Sequence, residues 1–296
     1  MIGVSGEQGI QTLRGGAWGV DSPEAVQIGV VPAQAGTHRG RNNDEFPLSR
    51  ERHRGRDLRR VEMNRGIGAG ARSILVIDVG GTHVKVLASG KQNPRKIPSG
   101  PSMTAGRMVE QVKEITKDWA FRAASIGYPG PVVHGRPLRE PYNLGGGWVG
   151  FNFSKAFARP VKLVNDAAMQ ALGSYEGGRM LFLGLGTGLG SAMIVDGIVE
   201  PMEIAHLPYK KRTYEDYLGV RGLKRLGKKK WTHHVAAVVE ELREALEADY
   251  VVLGGGNVKR LKSLPPKTRR GNNRNAFRGG FRLWAPAGTS HPLRFT

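Results

Sequence analysis

Ile74-Leu75-Val76-Ile77-Asp78-Val79-Gly80-Gly81-Thr82-His83-Val84-Lys85-Val86-Leu87 is an apolar run that meets a carboxylate, turns through two glycines and becomes apolar again. Four apolar residues without alternation, Ile74 to Ile77, predict a strand buried on both faces. Gly80 and Gly81 open backbone angles closed to other residues and let main-chain N–H groups approach an anion, while the Thr82 hydroxyl adds a donor. Asp78, at the strand end, could hold a magnesium ion directly or through water. The chain resumes as a strand, Val84 to Ala88, so the stretch is a hairpin. A Rossmann or P-loop site would instead run from its glycines into a helix. An ordinary tight turn with Asp and Gly chosen for turn chemistry explains the same residues, so the rest of the chain has to separate the two readings.

The pattern downstream alternates helix and strand. Met103 to Trp119 places Met108, Val112, Ile115 and Trp119 on one helical face, and Ala123 to Tyr128 reads as a strand ending at Pro129-Gly130-Pro131. The loop from Val132 to Gly150, which carries Asn143 and Gly145-Gly146-Gly147, has the length of a functional loop. Val161 to Val164 is a strand that ends at Asn165-Asp166, and a small-residue helix, Ala167 to Tyr175, follows. The opening theme then returns: strand Met180 to Leu185, glycine turn Gly186-Thr187-Gly188-Leu189-Gly190-Ser191, and returning strand Ala192 to Val195, with Asp196-Gly197 as the next turn. Helices are predicted at Tyr214 to Leu226 and Trp231 to Ala248. A strand, Tyr250 to Leu253, runs into Gly254-Gly255-Gly256, and a short helix from Asn275 to Trp284 closes the fold.

Composition narrows the chemistry. A chain of 296 residues, 39% of them hydrophobic, can bury two lobes. The lack of cysteine excludes disulfides, thiolate metal sites and a cysteine nucleophile. No run reaches the apolar length of a membrane span, and the first residues show no basic segment followed by an apolar stretch, so the cytoplasm is the expected compartment. The formal charge is +20, and its location is more informative than its size. Residues 1–62 hold nine Arg, no Lys and eight acidic residues, contributing only about +1. Two clusters carry the excess, one from Lys210 through Arg221 and Lys224 to Lys230, the other from Lys259 to Arg278. Such clusters attract a polyanion; a solvated face that keeps the protein in solution is the plain alternative. Residues 1–70 lack periodicity and are expected to be disordered or foreign to the fold, with Met63 as the natural start.

Four features in this order resemble the actin-like sugar kinase superfamily, in particular the ROK (repressor, open reading frame, kinase) family and its polyphosphate glucokinase branch. They are the hairpin Asp78 to Lys85, the Asn165-Asp166 pair, the second hairpin at Gly186 to Ser191 and the turn at Gly254 to Gly256. The resemblance covers about residues 72–284. It implies a two-lobed α/β fold of the actin-like, ribonuclease H-like kind with mixed sheets: an N-terminal lobe over 71–165, a C-terminal lobe over 166–284, and a tail from 285 to 296.

By this resemblance Asp166 is the catalytic base, accepting the proton of a sugar hydroxyl as that oxygen attacks the terminal phosphoryl group. An N-cap of the following helix explains the Asn-Asp pair without catalysis. Asn165, Asn143, Glu203, His206 and Glu215 would grip sugar hydroxyls, with Glu203-Ile204-Ala205-His206 matching a family Glu-x-Gly-His segment except for Ala205. Asp78, Gly80, Gly81, Thr82, Lys85, Gly186, Thr187, Gly188, Gly254, Gly255 and Gly256 would bind the donor phosphates or nucleotide. Many relatives of this kind carry a cysteine-rich zinc site after the histidine; Leu207 to Thr213 stands there in this chain, and structural zinc is not expected.

The expected activity is transfer of a phosphoryl group from polyphosphate or ATP to the 6-hydroxyl of glucose, with magnesium. The basic clusters lean the donor toward polyphosphate. The alternatives are an ATP-only kinase of another hexose and a polyanion- or nucleic-acid-binding protein on a degenerate kinase fold. The acidic set Asp78, Asp166, Glu203 and Glu215 disfavours nucleic acid, because carboxylates repel a phosphate backbone unless metal intervenes. The oligomeric state, a homodimer included, stays open.

Overall fold

Ile74–Val79 forms β1, buried at nearly every atom, at the centre of a five-stranded sheet. The computed structural model of the protein describes residues 73–272 and 274–285 and the backbone of 294–295. The expectations for residues 1–70, and for most of the tail, fall outside the described residues.

On one side of β1 lies antiparallel β2 (His83–Ala88), which sets Asp78 opposite Lys85, and β3 (Arg95–Pro98) extends it. On the other side β4 (Ala123–Tyr128) pairs in parallel with β1, and β5 (Val161–Asn165) in parallel with β4. The order is β3-β2-β1-β4-β5, a mixed sheet. Between β3 and β4, helix α1 (Ala105–Ile115) lays Met108, Val109 and Val112 on the same core as Leu75 and Ile77. It is shorter than its apolar periodicity predicts. The Thr104 hydroxyl accepts from Arg107 N–H and starts the helix, and the Thr116 hydroxyl donates back to Val112 O where it ends.

α2 (Phe153–Phe157) precedes β5, and α3 (Asp166–Ser174) leaves β5 directly. The second sheet then forms from β6 (Arg179–Leu185), β7 (Leu189–Val195), β8 (Ile198–Met202), β9 (Tyr250–Gly254), β10 (Thr268–Arg270) and β11 (Arg294–Phe295), in the order β10-β9-β6-β7-β8-β11. Asp196 and Gly197 both take positive φ, 49° and 85°, the two-residue turn that matches strand twist between β7 and β8. β7 begins at Leu189, three residues earlier than expected, so the glycine turn itself shrinks to residues 186–188. Gly190 tolerates this because the strand passes against Ala167, whose Cβ leaves too little room for another side chain.

The helical region after β8 divides twice. The expected Tyr214–Leu226 helix is cut at Gly219 into α4 (Tyr214–Leu218) and the first part of α5 (Val220–Ala245), and the expected break before Trp231 falls at Gly227, whose backbone, with φ 73°, is not helical. A capping box between Thr213 and Asp216 fixes the start of α4. Beyond Gly227, Trp231 is fully buried, its indole N–H donating to Leu218 O.

α6 (Asn275–Arg282) packs on α3 with almost nothing between the backbones. A side chain on Gly173 would overlap Asn275 O, and one on Gly279 would overlap Met169 O. Gly280 lies equally close on Val76 of β1, and its carbonyl accepts from the buried Ser125 hydroxyl of β4 at 2.6 Å. Both sheets therefore meet through one glycine-lined helix crossing.

Candidate active site

Polar residues gather where β1, β5 and β6 end. Asp78 closes β1 and is buried but for one edge, with Lys85 Nζ at 3.2 Å from Oδ2. Gly80 and Gly81 do not take left-handed φ, contrary to the expectation. Space is the reason at Gly80, where a Cβ would lie 3.0 Å from His83 O; a Cβ on Gly81 would make only ordinary contact with Asn143. Ser99 ties the turn down, its hydroxyl donating to Gly80 O and its N–H to Thr82 O.

The loop of residues 132–150 is not free. It contains a short ladder, 132–133 with 136–137, and the Tyr128 hydroxyl donates to Arg139 O. The Glu140 carboxylate accepts from the Trp148 and Val149 N–H groups, and Trp148 is fully buried. These bonds bring exposed Asn143 against the first glycine turn, its Cβ 3.5 Å from where a Gly81 side chain would begin.

Asn165 and Asp166 occupy the junction between β5 and α3. Asn165 is the helix N-cap: its Oδ1 accepts from Ala168 N–H while its Nδ2 donates to Gly130 O. The bland explanation of that residue thus holds, and only its remaining polar capacity is left for a ligand. Asp166 is the first helical residue. It keeps a partly open surface, yet its carboxyl is pushed up to about 7, chiefly by burial and then by the negative charge of Asp78; the bond from Ala167 N–H opposes the rise and Glu203 adds to it.

Glu203, whose charge acts on Asp166, precedes a short 3-10 turn (Ile204–His206) that ends at His206. Glu203 is exposed as a residue, but partial burial raises its carboxyl, with Glu215 adding repulsion and His206 and Arg139 drawing it down; solvent screening tempers that rise. The segment after His206 is anchored by rings. Tyr209 stacks on Tyr214 at 5.1 Å, meets Tyr217 edge-on at 5.0 Å and reaches His234 Nδ1 through its hydroxyl at 3.1 Å.

A cleft of about 410 Å³ is lined by Asp78, Thr82 and Lys85 of the first hairpin, Gly186 and Thr187 of the second, and Gly255 and Gly256 of the third turn. Gln170, Val220 and Asn257 complete it. Gly254 does not reach it: it remains in β9 against the Phe182 ring, where any side chain would overlap. Gly255 does, with φ 83° and its Cα pressed on Leu185, two demands that only glycine meets. Gly188 makes room for Glu215, one of whose oxygens would overlap any Cβ there. α5 starts on this turn, Val220 N–H donating to Thr187 O.

Sequence reasoning missed three lining residues. Gln170 stands four residues after Asp166, on the same face of α3, a spacing that could have revealed it. Asn257 follows the glycine run and donates through Nδ2 to Gly186 O at 2.9 Å, tying the third turn to the second. Val220 carries no chemical signal at all.

No family model matches the chain. A polyphosphate glucokinase of Mycobacterium tuberculosis is 27% identical over 212 residues, covering 64% of this chain and 80% of the relative. The chain is similar in sequence to the polyphosphate glucokinases. Among solved structures, an inorganic polyphosphate/ATP-glucomannokinase from Arthrobacter sp. strain KM superposes with a TM-score of 0.61 at 22% identity, over 72% of this chain and 98% of that one. A ROK family glucokinase from Streptomyces griseus gives 0.52 at 16% identity, over 75% and 93%. At these identities the structures establish the fold, which is that of the ROK sugar kinases. No helix among the described residues is long and apolar enough to cross a membrane.

Proposed function

We propose that the protein is a cytoplasmic glucokinase that transfers the terminal phosphoryl group of polyphosphate or ATP to the 6-hydroxyl of glucose. One observation carries the proposal: the Asp166 carboxyl, pushed up to about 7 chiefly by burial, also feels the charge of Asp78, which lines the cleft of the three glycine turns, and that of Glu203, which interacts in turn with His206 and Glu215. A base whose pKa lies near neutrality is about half ionised there and, in that form, is well matched to accept a hydroxyl proton. The two sheets then act as lobes, the donor entering the cleft and the sugar the opposite side. Sequence similarity to polyphosphate glucokinases supports the same chemistry.

In this scheme Glu203 and His206 hold sugar hydroxyls, Asn143 borders the sugar from the loop, and Asn165 fixes Asp166 by capping α3. As the sugar oxygen attacks phosphorus and the bridging oxygen departs, Asp166 accepts the sugar proton. Thr82, Thr187 and nearby N–H groups face the oxygens over which negative charge spreads, with Lys85 adding a fixed positive charge.

Asp78 fits magnesium. It presents a carboxylate to the cleft, and no group of three or more ligating side chains occurs among the described residues, so most ligands would come from donor phosphates and water, as magnesium prefers. When bound there, the ion would neutralise phosphate charge.

The test is phosphorylation by the full-length protein with magnesium, glucose and a hexose panel, using ATP and polyphosphate in parallel. Glucose 6-phosphate formation is expected, faster with polyphosphate at low salt. No transfer to any hexose from either donor would overturn the proposal.

A further inference from the structure

Arg221 is the second residue of α5, directly after Val220 of the cleft wall and beside the second glycine turn. Its guanidinium donates to Glu215 Oε1 at 2.8 Å, and Asp216 Oδ1 lies farther off at 3.8 Å. The other Glu215 oxygen sits on the turn itself, where Leu189 N–H approaches it at 3.4 Å and Gly188 leaves the space for it. A guanidinium is thus held one carboxylate away from Gly188. About two-thirds of the Arg221 side chain is exposed (66%), against 21% for Glu215. One of its five N–H donors makes the close bond to Glu215, so most of the fork faces outward.

The charge distribution around the cleft sharpens the point. The first hairpin brings Lys85 of its own, but Lys85 is engaged by Asp78. The second turn, Gly186 to Gly188, has no ionisable residue. A donor chain lying across both turns therefore meets an arginine at the second one only through α5.

We infer that Arg221 is a donor-phosphate ligand, held at the second glycine turn by Glu215. The inference rests on the kinase reading for the identity of the anion, but the geometry requires only a condensed phosphate, whether inorganic or the tail of a nucleotide. It gives Glu215 a second task, linking the sugar-side carboxylate cluster to the donor.

The experiment measures binding of inorganic tripolyphosphate to the full chain by calorimetry at low salt, for wild type, Arg221→Ala, Arg221→Lys, Glu215→Gln and, as a control, Lys155→Ala on α2. The expected result is a Kd at least tenfold weaker for Arg221→Ala, a loss of a few-fold for Arg221→Lys, which keeps charge without the fork, and a smaller loss for Glu215→Gln. Lys155→Ala should bind as wild type does. Melting temperatures of the arginine variants should match wild type, since the side chain is mostly exposed. Tripolyphosphate affinity of Arg221→Ala within twofold of wild type overturns the inference, whatever the turnover. A wild-type protein that binds tripolyphosphate through Arg221 yet phosphorylates no hexose supports the inference and sinks the kinase proposal instead.

Discussion

The two glycine-turn hairpins that line the cleft use one backbone device with different sources of charge. Each joins antiparallel strands through a glycine turn that avoids left-handed φ at Gly80, Gly81, Gly186 and Gly188. The first carries Asp78 and Lys85 within its own ladder, paired across from each other. The second is uncharged and borrows Glu215 and Arg221 from α4 and α5, which arrive about thirty residues later. A turn that owns its charges can be recognised from a short stretch of sequence. A turn that borrows them becomes complete only in three dimensions.

Substitutions at and between the hairpins can break or sharpen this contrast. The largest effect belongs to the residue they share. Asp166→Asn should lower kcat by ~10²–10⁴-fold, the usual contribution of a general base, with little change in glucose affinity measured by calorimetry. Near-normal turnover would remove Asp166 from its role.

The same variant has a stability signature. The folded carboxyl titrates near 7 against an ordinary 3.8, so between those values the native state keeps a proton that the unfolded chain releases. This contribution to stability is full below the unfolded pKa and is lost as pH rises through 7. Without magnesium or donor, Asp166→Asn should therefore melt above wild type at pH 8, by roughly 2–4 °C for each kcal/mol of relieved repulsion, with the gap closing toward pH 4. Equal melting temperatures at pH 8 would place the raised carboxyl in doubt.

Gly188→Ala comes next. Its methyl group would displace the Glu215 carboxylate and with it the borrowed charge, and a fall of ~10²-fold in kcat/KM for the donor is expected from a displacement of that size. Lys85→Met removes a charge the first hairpin owns; the donor KM should rise about tenfold while the glucose KM stays put. Gly106→Ala on α1 is the control. Nothing lies within 4 Å of a Cβ there and its φ is not left-handed, so steady-state rates should remain within about twofold of wild type. A large defect there would mean that glycine substitutions act through the fold rather than through the turns.

Legibility in the sequence followed the same division. β1, β4 and β6 announce themselves as apolar runs because burial on both faces demands it, and Asp78 and Asp166 stand out as carboxylates ending such runs. β10 is only Thr268–Arg270, with no apolar signature, since its pairing with β9 is set by the neighbour's backbone rather than by its own side chains. The break before Trp231 was legible and falls at Gly227, whereas the break at Gly219 was not, because a single glycine within an apolar periodic run reads as a tolerated helical residue until packing shows otherwise. Gly254 reads like Gly255 in the sequence, but Gly255 lines the cleft and Gly254 does not; the Phe182 ring, distant in sequence, separates them. Arg221 lay within a basic cluster, and nothing in that cluster distinguishes it until Glu215 is folded beside it.

The glycine crossing of α6 has a temporal consequence. Ser125 of β4 waits for a carbonyl 155 residues further along the chain, and Val76 of β1 waits for the same turn of helix. During synthesis, every described strand of both sheets except β11 emerges before the element that wedges them together, so the sheet core around Val76 stays uncovered until α6 has been translated. Assembly is thus governed by the last helix to appear, and the slowest step in reaching the native state should be its docking rather than the formation of either sheet.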